Sequence, residues 1–219
     1  MKKRISIIMA TIFVFSMMFI PVSTQAATTP VIKNNQLVLL KSDTYHLQMP
    51  YKVKKVVSDN EDLLYPDVGW GNKKFIDLWS TKKGEANFTI TYKNGKKQSL
   101  HVKVVDYTNP VKYVKIGSYK FTFKKARNKN NILHKRLGGT QKVVVKPKKN
   151  WKVRDIQYFP ADNGYLSGTP KHIKNNKKYT FRRHSVNDVI VCLYNKKTHA
   201  NAQLFIRFNE RPNSYQEPF

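Results

Sequence analysis

From Leu37 to Phe208 the apolar residues recur two apart or in short β-branched runs, and no segment keeps a helical period for three turns. Turn residues separate the runs, so the spacing predicts an all-β chain. A first set lies at Leu37–Leu40, Tyr45–Met49, Val53–Ser58, Leu63–Tyr65, Phe75–Trp79, Ala86–Tyr92 and Ser99–Val105. Seven short strands in about 75 residues is the count for a small immunoglobulin-type sandwich. Asn109-Pro110 then punctuates the pattern. A second set follows at Val111–Ile116, Tyr119–Lys125, Gln141–Lys146, Trp151–Phe159, Lys178–Arg183, Asp188–Tyr194 and Gln203–Phe208. The expected fold class is therefore two tandem immunoglobulin-like β-sandwiches, over 27–107 and 108–219, after an N-terminal signal peptide over 1–26.

That leader has Lys2, Lys3 and Arg4 before an uncharged apolar run from Ile5 to Val22, then small residues up to Ala26. This is a secretory signal pattern with cleavage expected after Ala26. An apolar stretch of this length can also stay as a membrane anchor, and that alternative is open. With cleavage, no later segment is apolar enough to span a membrane, and the tail from Asn209 to Phe219 carries no wall-sorting motif. The protein is expected to be secreted, or held noncovalently on a bacterial surface. Cys192 is the single cysteine, so no internal disulfide can form and no lipid-accepting cysteine follows the leader. It sits in "DVIVCLYN", where a small buried apolar residue is the expectation.

Both sets end alike, "ANFTITYKNGKKQSLHVKV" and "DVIVCLYNKKTHANAQLFIRF", each a strand, a lysine-rich turn and a strand, as in a degenerate tandem repeat. Phase decides the first turn. A two-residue Asn94-Gly95 loop would pair Phe88 with His101 and put apolar and polar sets on one face. A three-residue loop, Lys93 to Gly95, pairs Phe88 with Leu100 and Ala86 with Val102, with Gly95 in the left-handed position. The lysines at this tip then need no ligand to explain them.

The residues "VKKVVSDNEDLLYP" and "KKFIDLWSTKKGEANFTITYKNGKKQSLHVKVVDY" resemble the group-two bacterial immunoglobulin-like domain, over about residues 31–106. The shared elements are the strand before "SDNEDLL", the "KKG" turn, "G-x-A-x-F-T-I" and a hairpin ending in "VKV". Trp79 departs from the pattern, standing where a small residue is expected. The second set resembles the divergent modules that follow such domains in secreted bacterial proteins. The resemblance implies a spacer, adhesive or binding module and brings no catalytic residues.

No catalytic or metal site is expected. The histidines His46, His101, His134, His172, His184 and His199 lack zinc-site spacing, and nucleophile elbows and phosphate-cradling glycine loops are absent. Asp59-Asn60-Glu61-Asp62 lacks the spacing of a calcium loop and is expected to be a turn. His101 is placed on an outer strand face. Asp155, Asp162 and Asp188 stand too far apart in the chain to argue for glycosidase chemistry, which leaves a polysaccharide-active enzyme as a reading without support. The sequon Asn87-Phe88-Thr89 is taken as accidental in a bacterial chain. No cofactor is expected.

Charge is the remaining signal. Residues 27–107 hold 13 Lys against 8 acids, net +5; residues 108–219 hold 25 Lys plus Arg against 5 acids, net +20. A field of that size makes polyanions natural partners. Along Tyr119–Lys124 the aromatics Tyr119, Phe121 and Phe123 take one face, expected to be core, and Lys120, Thr122 and Lys124 the other. The candidate anion-binding set is Lys120, Lys124, Lys125, Arg127, Lys129, Lys135, Arg136, Lys148, Lys149, Arg182 and Arg183. The expected ligand is an anionic polymer of the cell envelope or of a host surface, a teichoic acid, an acidic polysaccharide or a glycosaminoglycan; nucleic acid is less expected, since an exported protein seldom meets it and no reading motif is present. The competing reading is a protein-interaction module whose charge only aids solubility.

Overall fold

The computed structural model describes residues 30–41, 44–68, 73–80, 82–125, 132–161 and 170–208. The leader, Arg127, Lys129, Asp162 and the tail lie outside the described residues. Seventeen strands are described and no helix. The first eight are β1 (Ile32–Lys33), β2 (Gln36–Leu40), β3 (Thr44–Gln48), β4 (Val53–Ser58), β5 (Leu64–Val68), β6 (Phe75–Ser80), β7 (Gly84–Tyr92) and β8 (Lys97–Val105). Then come β9 (Val111–Ile116), β10 (Tyr119–Phe121), β11 (Ile132–Leu133), β12 (Gly139–Pro147), β13 (Trp151–Ala161), β14 (Lys171–His172), β15 (Lys177–Phe181), β16 (Val186–Asn195) and β17 (Ala200–Phe208).

In the first half, β2-β8-β7-β4 packs against β3-β6-β5. Those strand orders, with the first strand β2 parallel to the last strand β8, are the immunoglobulin arrangement. In the second half, β14-β13-β16-β17 packs against β10-β9-β12-β15, and β11 runs parallel to β17 as β2 runs parallel to β8. The chain thus folds as two immunoglobulin-like β-sandwiches. The alternation seen in sequence explains the layers: Ala86, Phe88 and Ile90 with Leu100, Val102 and Val104 are buried, and the residues between them are more exposed.

The β7–β8 hairpin has the register that phase required, with Phe88 opposite Leu100 and Ala86 opposite Val102. Tyr92 N–H donates to Lys96 O (2.9 Å), and Gly95 takes φ +81°, closing the three-residue loop. The equivalent β16–β17 turn is closed differently. There Asn195 Oδ1 accepts from the N–H groups of Lys197 and Thr198, and His199 takes φ +60°.

The run read over Tyr119–Lys125 stays in a strand only to Phe121. Phe123 takes φ +49°, which no strand residue can hold, and its carbonyl accepts from Tyr107 Oη (2.9 Å). Its ring still reaches the core beside Phe121, so the expected face of Tyr119, Phe121 and Phe123 is the observed one. The Asp59–Asp62 segment is a turn, as expected. Asp59 carboxylate oxygens accept from Asn87 N–H and Nδ2 (both 2.8 Å), which fastens the turn to β7 and lowers the Asp59 pKa. His101 lies on the outer face, 3.3 Å from Glu85.

The two halves share one sheet. β2 lies between β8 and β17 and runs parallel to both, with Val38 opposite Ala200 and Leu39 opposite Asn201. Alternation then divides its side chains: Leu37 and Leu39 enter the first core, Val38 and Leu40 the second. The seam is also tied by hydrogen bonds from the buried side chains of Asn201 and Tyr45. Asn201 Nδ2 donates to Val31 O and Val38 O (3.1 Å each), and its Oδ1 accepts from Val31 N–H. Tyr45 Oη donates to Asn201 O (2.9 Å) and accepts from Leu40 N–H (2.8 Å).

Because the two cores lie on opposite sides of β2, the covering sheets lie on opposite sides of the shared sheet. The outer face of β3-β6-β5 and that of β10-β9-β12-β15 are therefore separate surfaces.

Candidate functional site: a lysine face on the second sandwich

On β10-β9-β12-β15, the inward residues are mainly apolar, among them Val114, Ile116, Phe121, Val143, Val145 and Phe181. Their alternates face out, and five of those are Lys115, Lys120, Lys142, Lys146 and Lys178. None of these four strands holds an acidic residue. Two pairs of cations are directly opposed across strands, Lys115 with Lys120 and Lys142 with Lys178. Like charges so placed cost roughly 0.2–1 kcal/mol per pair, and nothing in the fold requires them there. Lys120 is partly compensated, its Nζ standing 4.9 Å over the Tyr113 ring. Thr140 and Thr180 share a hydroxyl contact of 3.1 Å in the row next to Lys142 and Lys178.

The described carboxylates of this half, Asp155 and Asp188, are engaged elsewhere. Asp155 meets His172 at 3.0 Å on the other sheet. Asp188 is fully buried, with Arg207 Nε and an Nη atom on its two oxygens at 2.8 and 3.0 Å; burial still raises its pKa, which the guanidinium only partly offsets. Neither acid reaches the lysine face, so the potential there is uncompensated by acids among the described residues.

The residues singled out in sequence fall into three places. Lys120 is on the face itself. Lys135 and Arg136, just before β12, lie at the same end as Arg182 and Arg183, just after β15; the Arg183 side chain runs against Gly138 and Gly139. Lys135 Nζ also stands 5.9 Å over the Tyr119 ring. Lys148 and Lys149 sit in the β12–β13 turn at the far end of β12, nine residues and about 27 Å away. Lys124 and Lys125 follow β10 toward that same far end, where Asn109 bonds Thr122 O and Lys148 N–H bonds Pro110 O. Apart from Lys120, the described members of the set therefore form two groups at opposite ends, and the face lysines fill the span between them. Lys115, Lys142, Lys146 and Lys178 were not singled out from sequence, although the alternation in "VKYVKI" and "QKVVVK" carried the signal.

The first sandwich offers a different cationic feature. An open depression of about 530 Å³ is lined by Val53, Lys54, Val68, Lys73 and Lys93, and so includes one lysine of the β7–β8 tip. Among the described residues no three of His, Cys, Asp and Glu are grouped to hold a metal ion, and no helix is long and apolar enough to cross a membrane.

No family model and no curated protein matches the chain. Among solved structures, it is similar at 12% identity and TM-score 0.24 to protocadherin gamma B7 extracellular cadherin domains 1–4, covering 84% of this chain and 51% of that one. It is similar at 13% identity and TM-score 0.23 to SGBP-B of the Bacteroides ovatus mixed-linkage glucan utilization locus, in complex with a mixed-linkage heptasaccharide, covering 68% of this chain and 45% of that one. The YadV chaperone is similar at 11% identity and TM-score 0.23, covering 81% of this chain and 98% of that one. The chain spans about half the length of the first two.

Proposed function

We infer that the protein is a noncatalytic binding module of the bacterial exterior, in which the lysine face of the second sandwich holds an anionic polymer. The observation that carries this reading is the two pairs of directly opposed lysines, Lys115 with Lys120 and Lys142 with Lys178, on a sheet whose strands hold no acid. A solvating surface mixes signs, whereas this one keeps a single sign at a cost in stability. An extended polyanion laid along β12 would meet cations from Arg182 and Arg183 at one end to Lys148 and Lys149 at the other. The leader pattern and the resemblance of the first sandwich to group-two bacterial immunoglobulin-like domains support an exported location, with 27–107 and 108–219 as its two units. Teichoic acid and acidic polysaccharides have the required charge and are met outside the cell.

The test is retention of the protein on purified cell walls with and without teichoic acid, across a salt series. Binding that falls with salt and on removal of the polymer supports the reading, because exposed charge pairs are screened. Indifference to both overturns it. Retention on a protein partner at high salt, with none on polymer, favours the protein-interaction reading instead.

A further inference from the structure

The opposite surface, the outer face of β3-β6-β5, has another chemistry. Trp79 on β6 and Tyr65 on β5 are directly opposed across strands, with ring centroids 6.0 Å apart and planes at 42°. Both point to solvent, Tyr65 at 54% exposure and Trp79 at 36%, the most exposed aromatics among the described residues. The next row of the same face is His46, Asp77 and Asp67, again directly opposed. His46 Nδ1 and Asp77 Oδ1 meet at 2.6 Å, which fixes that carboxylate in place. The Tyr65 hydroxyl, the Trp79 indole N–H and the Asp67 carboxylate make no hydrogen bond among the described residues.

We propose that Trp79 and Tyr65 form a stacking platform for the pyranose rings of a neutral glycan, with Asp67 and Asp77 accepting hydrogen bonds from its hydroxyls. A pyranose ring has an apolar C–H face and a rim of hydroxyls. The platform offers the matching pair at matching positions, aromatic faces in one row and carboxylate acceptors about two residues along the strands in the next. A cross-strand aromatic pair would stabilise the sheet equally well with smaller rings, so an indole half-turned to solvent is more than the sheet needs. A protein partner fits less well. Two partly covered rings of about 150–250 Å² each fall short of the roughly 800 Å² per side that a stable protein interface buries, and charged groups border them at once. Trp79 is also the position at which the chain departs from the immunoglobulin-like pattern it otherwise resembles.

This face and the lysine face lie on opposite sides of the shared sheet, so the two readings stand or fall separately. The experiment uses the full chain and a panel of neutral hexaoses of glucose, mannose, xylose and N-acetylglucosamine in α and β linkage. Binding is followed by calorimetry and by the Trp79 indole resonance in NMR. The expected result is salt-insensitive binding of at least one hexaose that moves the Trp79 resonance. It should weaken by about tenfold or more in Trp79→Ala and Tyr65→Ala, and recover largely in Trp79→Phe. Lys115→Glu combined with Lys142→Glu should leave it unchanged. Thermal melts confirm that each variant is folded. No hexaose moving the Trp79 resonance overturns the proposal, as does full binding by Trp79→Ala, or capture of a protein through Trp79 with no glycan bound.

Discussion

The two covering sheets, β3-β6-β5 and β10-β9-β12-β15, stand in equivalent places in two copies of one architecture and present opposite chemistry. The first shows two aromatic rings beside a row of His46, Asp77 and Asp67; the second shows five lysines and no acid. In both, most inward alternates are apolar and packed into the core, so the fold constrains chiefly one half of each strand. The outward half is free to differ, and it is there that a binding role must be read.

The largest expected effect tests whether the halves are one body. Leu39 and Leu40 are fully buried in different cores from the same strand. Replacing either by Ala should cost about 2–5 kcal/mol. The loss should appear in a single unfolding transition followed at both Trp151 and the first core. Two separated transitions, with only one moved, would break the comparison by making the sandwiches independent. Next in size is Asn201→Ala, which leaves Val31 N–H and two carbonyls of the seam without their partner and should cost about 1–3 kcal/mol in denaturant unfolding.

Much of this architecture was legible in sequence because period-2 alternation is a local signal. Phase alone chose the three-residue loop at Lys93–Gly95, and each strand read in sequence has a counterpart within a few residues. The seam was not legible. "QLVLL" reads as a strand, but which strand each edge of β2 meets is decided by β8, 65 positions on (Leu37 to Val102), and β17, 162 positions on (Val38 to Ala200), and an unbroken apolar run is the only local sign. The two-residue strands β1, β11 and β14 are too short to carry a period. For the lysine face, doubled cations in loops stand out in the sequence, while single lysines alternating along strands are indistinguishable from the ordinary strand pattern.

A smaller effect would sharpen the comparison through stability. Lys115→Glu and Lys142→Glu each replace a like-charge pair with an ion pair, so each should stabilise by roughly 0.2–1 kcal/mol while weakening polyanion binding. A stability gain joined to a binding loss is not what a merely structural face would give.

Acid separates the halves by sign. Hydrogen bonds from Asn87 lower the Asp59 pKa from 3.8, so the stability it adds is present above 3.8 and is lost as pH falls through its folded value. Burial raises that of Asp188, so on acidification the folded form takes up a proton first and stability rises as pH falls through the folded value toward 3.8. Asp59→Asn should therefore flatten the acid limb of the unfolding curve, and carboxyl NMR titration should show Asp59 below and Asp188 above 3.8. The reverse order would contradict the hydrogen bonding described.

The most direct measurement is the salt dependence of affinity for one defined polyanion, such as a glycerol-phosphate polymer, in the full chain and in the Lys115→Glu/Lys142→Glu variant. The account predicts affinity that falls steeply with salt, and a variant with both weaker binding and a shallower slope; Trp79→Ala should match the unaltered protein. Equal slopes for the unaltered protein and the lysine variant would contradict a binding role for the second sandwich's outer face.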